Sequence, residues 1–322
     1  MFLSKKINPT QAGIMLNDTR GLISIGCDSS KEQIRLACAD LDWVSQGFSP
    51  NVFLGAEKSY FSVGIQDFID GSLNGADSAK FSACVYSDSW HRGDFFSRGL
   101  SNSLVSGSVL RPLGFDRGLR NLSENKNVDF SLLLQAALGS YIHCCESSHI
   151  IFNLNIANDY LATYLRNIYG NFPFLFLVCD PALMVSHWLN SDLNERHLMV
   201  DRFARESGID TKEERQTITP INAFFGVVKN YYKKVKNLSE ILNDCYIFET
   251  TYPTESSFHA LCNSLSLKDV DIQSAKIHMI SDKAQKAAVV EQIKLYESYV
   301  PAAIRDEFES LKSSRFSCGY CE

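Results

Sequence analysis

The chain has 322 residues and a formal charge of −6, and 45% of its residues are hydrophobic. This composition excludes a disulfide-stapled miniprotein and a fibrous or disordered chain. The acidic balance argues against a broad basic face, so we expect no nucleic-acid partner. The apolar runs are too short for an integral membrane segment and the first residues lack a secretory signal, so we expect a cytoplasmic protein. The isolated pair Cys318 and Cys321 supplies only two ligands, so no metal site is expected.

The N-terminal part of the chain predicts a strand, a helix and a second strand. The apolar run Gly21–Gly26 is followed by Asp28–Ser30, which are good helix N-cap residues. We therefore expect a strand and then a helix from about Lys31 to Val44. A second apolar run, Asn51–Gly55, follows this helix, so the two strands are expected to pair in parallel as a βαβ unit.

The rest of the chain repeats this alternation of strands and helices. Apolar runs predict strands at Ser148–Leu154, Pro173–Val178 and Asp244–Glu249. Helical patterns are predicted at Ala157–Tyr169, Ile221–Leu242, Glu255–Leu265 and Asp282–Tyr296. Nearly unbroken apolar strands suit a sheet covered on both faces, so the expected fold class is α/β, with three layers and a mostly parallel central sheet flanked by helices.

The domain organisation predicted from this pattern is a single domain over residues 1–322. The Ser-, Gly- and Asn-rich stretch within residues 97–125 is interpreted as a surface excursion or lid. Residues 220–322 are expected to form a mainly helical C-terminal part.

Two segments of the C-terminal half resemble a known family. A helical stretch leads through Phe172-Pro173 into the run Phe174–Val178, and then into Asp180-Pro181 and a helix with Ser186. Residues 231–265 add a helix before a strand that ends in a glutamate. Both segments resemble the sulfotransferase catalytic core. The resemblance implies a P-loop-like fold that uses 3′-phosphoadenosine 5′-phosphosulfate (PAPS) as co-substrate and transfers its sulfuryl group to a hydroxyl.

The first candidate for the phosphosulfate loop of that family is Ile25–Gln33. It resembles the family's G-C-P-R-S-G-T-T because it follows a predicted strand and opens a predicted helix, whose first N–H groups and dipole favour an anion. On this alignment the cofactor-binding residues are Gly26, Ser29, Ser30 and Lys31. An ordinary helix N-cap at the same residues remains the alternative.

The second candidate loop is Gly55–Ser59, which matches the family's G-A-P-K-S more literally. On this alignment Lys58 and Ser59 contact the phosphosulfate, and Lys58 neutralises charge on the leaving phosphate. The first loop is preferred because it follows the opening strand and leaves Glu57 as the candidate general base. Solvated loop charges remain the alternative for both Glu57 and Lys58.

His91 is a second candidate for acid–base catalysis. It lies in the segment YSDSWHRGDFF, which is similar to a region near the acceptor cleft of some sulfotransferases. An unperturbed imidazole titrates near neutral pH, which suits this role, although a surface turn is the alternative. Arg111, Arg117 and Arg120 are candidates for additional anion contacts or for simple solvation.

The resemblance is incomplete where the cofactor's 3′-phosphate would bind. The family's arginine before Asp-Pro is Cys179 here, and a thiol cannot make a bidentate charge-assisted contact. Asp180 and Ser186 stay as candidate cofactor-binding residues, although His187 takes the position expected for the serine. Two functions remain open: a sulfotransferase acting on a hydroxylated small molecule or glycan, and a catalytically inactive protein of this fold that serves as a binding module.

Overall fold

The computed structural model describes residues 3–6, 22–28, 33–38, 59–73, 80–88, 90–112, 117–126, 128–143, 145, 147–209 and 211–313. The strands are β1 (Leu3–Lys6), β2 (Leu22–Asp28), β3 (Gln33–Cys38), β4 (Ser59–Gly64), β5 (Phe81–Ser87), β6 (Gly107–Leu110), β7 (His149–Asn155), β8 (Phe174–Val178) and β9 (Cys245–Glu249).

The helices alternate with the later strands. They are α1 (Ile65–Leu73), α2 (Gly93–Ser103), α3 (Arg117–Lys126), α4 (Phe130–His143), α5 (Leu161–Tyr169), α6 (Pro181–Leu189), α7 (Leu193–Glu206), α8 (Lys212–Gln216), α9 (Pro220–Ile241), α10 (Glu255–Ser264), α11 (Ile272–His278), α12 (Lys283–Tyr296) and α13 (Ala302–Lys312). Short 3₁₀ turns lie at Ile156–Asn158 and Glu297–Tyr299.

The central sheet has five parallel strands in the order β6-β7-β5-β8-β9 and is flanked by helices. Every residue of β8 is buried, and its sequence FLFLV has no polar side chain, as expected for a strand covered on both faces. The predicted α/β class with a mostly parallel sheet is therefore confirmed. The predicted strands at the positions of β7, β8 and β9 are confirmed as well.

The predicted βαβ unit at the N-terminus is wrong. Residues Gln33–Cys38, expected within a helix, form a strand that pairs antiparallel with β2 and with β4. Ile34 and Leu36 are fully buried while Gln33 and Arg35 are partly exposed, so the segment has the period of a strand and not of a helix. The order of this second sheet is β1-β4-β3-β2. The predicted strand at residues 51–55 lies outside the described residues.

The interpretation of residues 97–125 as an excursion or lid is wrong for the described residues. The stretch contains most of α2, the strand β6 and most of α3. Val109 and Leu110 are fully buried, and β6 pairs in parallel with β7. Its serines serve the interior: the Ser97 hydroxyl accepts a 2.5 Å hydrogen bond from the amide of Asn153, and Ser103 donates to the Gly99 carbonyl.

The chain divides into two compact units that are each assembled from separate stretches. The first comprises Met1–Val85, Asp94–Phe172 and Asp269–His278, and the second comprises Tyr86–Gly93, Pro173–Lys268 and Met279–Glu322. Within the first, Phe81 packs its ring against Phe152, Tyr169 and Phe172. Within the second, Tyr86 stacks on Phe174 and Phe176. The single-domain organisation stays a prediction.

The N-cap of α9 determines where this helix, the longest described one of the second unit, begins, and its glycine determines how closely it packs. The Thr219 hydroxyl accepts the Asn222 N–H and Pro220 occupies the first turn, a combination that favours helix initiation. Gly226 lies against Phe203 of α7, because a Cβ at residue 226 would come within 2.1 Å of the Phe203 ring. This close approach fixes the spacing between α7 and α9.

We expect Gly226→Ala to destabilise the protein. Alanine is favoured over glycine in a helix by about 1 kcal/mol, but the overpacking against Phe203 costs about 1–3 kcal/mol or more at so short a distance. A lower melting temperature in a thermal unfolding scan is the expected result. The control is Asn222→Ala, at an exposed position of the same helix, which should leave the melting temperature unchanged or slightly higher. A rise for Gly226→Ala would contradict this packing.

Candidate functional site

The candidate site lies where β5, β8 and β9 end. Asp88, His91 and Arg92 lie between the central strand β5 and the start of α2 at Gly93, in a connection that we call the loop Ser87–Gly93 and of which residue 89 lies outside the described residues. Cys179 and Asp180 follow β8, and Thr250 follows β9. Because carboxyl ends of parallel strands meet at one edge of a sheet, these residues come together. A ligand of an α/β protein binds at this edge, so it is the first place to examine for function.

Asp88 organises the loop after β5. Its side-chain Oδ1 accepts the His91 backbone N–H at 3.1 Å, and its backbone carbonyl accepts the Gly93 N–H at 3.1 Å. The residue is 3% exposed. A carboxylate this deeply buried must be fully compensated, and here it is compensated by the loop and by one arginine.

That arginine is Arg202 on α7. Its Nη2 donates to Asp88 Oδ2 at 3.1 Å and its Nε donates to Glu206 Oε1 at 2.8 Å. Burial alone raises the pKa of the Asp88 carboxyl, but the His91 ring, the Arg202 guanidinium and the His91 amide bring that pKa below its ordinary value. Asp88 is therefore ionised at neutral pH.

His91 is fully buried and its ring stacks on Tyr231, with centroids 3.8 Å apart. Its Nδ1 accepts the backbone N–H of Cys179 at 3.2 Å. Burial lowers the pKa of His91 to about 4, so the ring is neutral at neutral pH and its proton sits on Nε2. Among the described residues Nε2 has no hydrogen-bond partner. His91 is thus a structural acceptor for β8, and its burial keeps it from exchanging protons with an acceptor in solution.

Arg92 and Thr250 close the loop over the end of β9. Arg92 Nη1 donates to the carbonyls of Thr250 and Thr251, at 2.9 Å each. The Thr250 hydroxyl lies 3.0 Å from the His91 carbonyl and 3.1 Å from the Val178 carbonyl. Arg92 has a φ of 58°, in the left-handed region, which turns the chain into α2. The loop is therefore tied to both neighbouring strands.

Cys179 occupies the position after β8 as a buried neutral thiol. The residue is 1% exposed, and burial raises the pKa of its thiol to about 12 despite the nearby Arg92. The next N–H, that of Asp180, is taken by the Thr251 hydroxyl at 2.9 Å. Asp180 itself caps α6, since its Oδ1 accepts the Ala182 N–H at 2.8 Å. The side chains of these strand ends therefore satisfy one another.

A group of charged side chains forms the more accessible part of this edge. Lys312 Nζ lies 3.8 Å from Glu249 Oε2, and both side chains are partly exposed. Burial and the neighbouring Glu249 raise the pKa of Asp180, and burial and the nearby Arg92 lower the pKa of His187. Lys312 Nζ also lies 3.7 Å from Glu309 Oε1, so both signs occur in this group and carboxylates surround the lysine.

Ser186 lies away from this accessible group. It is fully buried within α6, and its hydroxyl accepts a hydrogen bond from the Gln292 amide of α12. The hydroxyl is thus committed to the packing of α6 against α12. His187 is the neighbouring exposed position of the same helix.

Most residues of the two predicted phosphosulfate loops lie outside the described residues. Gly26 lies inside β2, which runs into a hairpin with β3, so no helix begins after it over the described residues. Ser59 begins β4 rather than a helix. The described residues of both segments are strand residues, and the cofactor-binding role of the two loops stays a prediction. Ser29, Ser30, Lys31, Glu57 and Lys58 lie outside the described residues, as do Cys318 and Cys321.

The remaining predicted arginines belong to the first compact unit. Arg111 forms an ion pair with Asp94, and Arg120 forms an exposed pair with Glu124 at 2.9 Å. Arg117 begins α3. Surface pairs of this kind are typical of solvated helix faces.

Sequence reasoning missed Asp88 and Arg202. The available signal was the apolar run Phe81–Ser87 followed by polar residues and Gly93, which has the order strand, turn and helix. Arg202 carries no such signal, because it is 114 residues distant from Asp88 in the chain.

No protein-family model matches this chain, and a search of curated proteins finds no significant match. In the part of the chain that the structure describes, His, Cys, Asp and Glu side chains form no group of three suited to a metal ion. None of the described helices combines the length and apolarity needed to cross a membrane.

We expect Asp88→Asn to destabilise the protein by about 2–3 kcal/mol. The amide oxygen of asparagine can still accept the His91 N–H, but Arg202 loses one of its buried charge partners. Because Glu206 still pairs with Arg202, the cost stays below the roughly 3–5 kcal/mol of a fully broken buried pair. Denaturant unfolding measures this difference. The matched control is Glu124→Gln in the exposed pair with Arg120, expected to cost less than about 0.5 kcal/mol. Equal losses for the two variants would contradict the role of Asp88.

We expect acidification from pH 6.5 to about 4 to destabilise the wild type through His91. The folded pKa of His91 is about 4, below the ordinary value of 6.5, so in this window the unfolded chain binds the extra proton and stability falls as the pH falls. The full difference is about 3 kcal/mol. Melting temperatures of wild type and His91→Asn across this window measure it, and the variant should lose less. His259→Gln, on an exposed helix face, is the control and should follow the wild type.

Proposed function

We propose that this chain is a sulfotransferase-like α/β protein that acts as a binding module and does not transfer a sulfuryl group. The main support for the proposal is that backbone N–H groups of the loop after β5 already form hydrogen bonds within the protein. A phosphate-binding loop offers free backbone N–H groups to its anion at the start of a helix. Here the His91 and Gly93 N–H groups are both taken by Asp88.

The residues at this edge do not fit PAPS. The Asp88 carboxylate stands where the 5′-phosphosulfate would need a neutral or positive surrounding. Two like charges about 4 Å apart repel by about 4 kcal/mol at an effective dielectric constant of 20. This amounts to nearly a thousandfold in dissociation constant. The loop therefore opposes the co-substrate instead of binding it.

The position of the cofactor's 3′-phosphate is equally unsuited. Where the resemblance calls for an arginine, the chain has the buried neutral thiol of Cys179. The nearby Ser186 hydroxyl is engaged by Gln292. Neither side chain supplies a charge-assisted hydrogen bond to a phosphate, which is the strong kind of contact.

The accessible charged side chains at the same edge favour a protein partner of mixed charge. Asp180, Glu249 and Lys312 surround the strand ends and are partly exposed. Charged side chains of both signs that are matched across an interface contribute to the specificity and the association rate of protein complexes. We therefore place the partner surface at this edge of the sheet.

The competing function is an active sulfotransferase. It is favoured by one observation: the loop Ser87–Gly93 follows the central strand and leads directly into a helix, which is the order of elements in a phosphate-binding loop. In that case Asp88 would have to leave the His91 amide when the cofactor binds.

Thermal melting with adenosine 3′,5′-bisphosphate separates these functions. A ligand at 100 times its dissociation constant stabilises a protein by about 2.7 kcal/mol, so a cofactor site would give a clear rise in melting temperature. We expect no rise at millimolar concentration and no transfer of labelled sulfate from PAPS to phenol, amine or carbohydrate acceptors. A sulfotransferase of known activity is the positive control. A rise or any turnover that depends on the protein would overturn the proposal.

The binding role has its own test in a charge reversal at the same edge. We expect Lys312→Glu to lose proteins that the wild type captures from a lysate, because the partner surface includes this side chain. The matched control is Lys294→Glu, at an exposed position of α12, which should keep them. Identical capture by both variants would place the partner surface elsewhere.

A further inference from the structure

The Asp88 carboxylate sits where a loop of this kind holds a free anion. We propose that the backbone amide of His91, in the turn after β5, and the guanidinium of Arg202 form an oxyanion-binding site whose ligand in this chain is the Asp88 carboxylate. When that carboxylate is removed, a small oxyanion such as inorganic phosphate binds in its place. The inference rests on the proposed function, because it requires that no cofactor phosphate occupies the loop.

The donors that face the carboxylate are those of an anion site. One carboxylate oxygen receives the His91 backbone N–H and the other receives Arg202 Nη2, each at 3.1 Å. A main-chain amide at the start of a helix and a guanidinium are the groups that bind phosphate in proteins. Glu206, the other partner of Arg202, lies four residues further along α7 and accepts from Nε, whereas Nη2 donates to Asp88.

A buried donor without a partner provides a second, independent observation. His91 is fully buried, its Nδ1 is occupied by the Cys179 N–H, and its Nε2 proton has no acceptor among the described residues. A buried donor without an acceptor costs roughly 1–3 kcal/mol, which a native protein normally avoids. The same residue donates its backbone N–H to the Asp88 carboxylate, and the charge of that carboxylate acts on its ring, so the unsatisfied donor lies close to the anion.

The backbone of the loop also has the form of an anion site. Arg92 adopts the left-handed conformation immediately before α2. A Cβ at Gly93 would come within 2.3 Å of the Ser87 hydroxyl oxygen and 3.0 Å of the Asp88 carbonyl, so only glycine allows this close turn. This turn directs the His91 N–H at the carboxylate, while the Gly93 N–H bonds the Asp88 backbone carbonyl. Two contacts hold this turn without the Asp88 carboxylate: the Gly93 N–H donates to the Asp88 backbone carbonyl, and Arg92 donates to the Thr250 carbonyl.

Asp88→Ala is the variant that vacates the site. It removes the carboxylate while leaving the His91 amide and Arg202 in place, so inorganic phosphate should restore what was lost. We expect its melting temperature to rise by about 2 °C when phosphate reaches ten times its dissociation constant. Asp88→Asn is the matched control, because it also lacks the charge but still fills the space and occupies the His91 amide. Its melting temperature should rise no more than that of the wild type. The small rise in the wild type measures the general stabilisation of folded proteins by phosphate.

The double variant Asp88→Ala with Arg202→Met tests whether Arg202 holds the phosphate, and it should lose the gain. If Asp88→Ala does not fold in phosphate-free buffer, its circular dichroism is followed as phosphate is added, with Asp88→Ser as a second variant. Recovery of the folded signal supports the inference. No gain and no recovery in either variant would overturn it while leaving the proposed function intact. A specific gain in the wild type would overturn the proposed function as well.

Discussion

The buried carboxylate of Asp88 is the constraint on which the rest of the candidate site depends. An ionised group this far from water must be matched by donors, and its donors are the His91 amide and Arg202. Meeting this requirement fixes the turn between β5 and α2. It also fixes the register of α7, on which Arg202 lies. The close contact of Gly226 with Phe203 then holds α7 against α9.

The loop after β5 also forms hydrogen bonds with the ends of the neighbouring strands. The turn carries His91 to the end of β8, where its ring accepts the Cys179 amide, and it carries Arg92 to the end of β9. Tyr231 supports the arrangement from α9, since its hydroxyl lies 2.5 Å from the Leu177 carbonyl and its ring stacks on His91. Three strand ends that would otherwise present free amides to a ligand are thus satisfied from within. The fold is α/β with a parallel central sheet, and the ends of three of its strands form a packed interior.

The sequence was sufficient for the fold class and insufficient for the site, for physical reasons. Unbroken apolar runs identified β7, β8 and β9, because only strands covered on both faces need them. At the N-terminus the residues Asp28–Ser30 were interpreted as a helix cap, although the same residue types form turns. The alternation of Ile34 and Leu36 with polar neighbours was the better indicator of a strand. The partnership of Asp88 with Arg202 depends on tertiary structure, and no local pattern carries it.

The central claim is that the loop after β5 is occupied by the protein's own carboxylate. The most direct measurement is a crystal structure of the wild type grown with millimolar adenosine 3′,5′-bisphosphate. We predict electron density that keeps the Asp88 carboxylate on the His91 amide and on Arg202, with no phosphate in the loop. A phosphate seated on the His91 and Gly93 amides, with Asp88 turned away, would contradict the account.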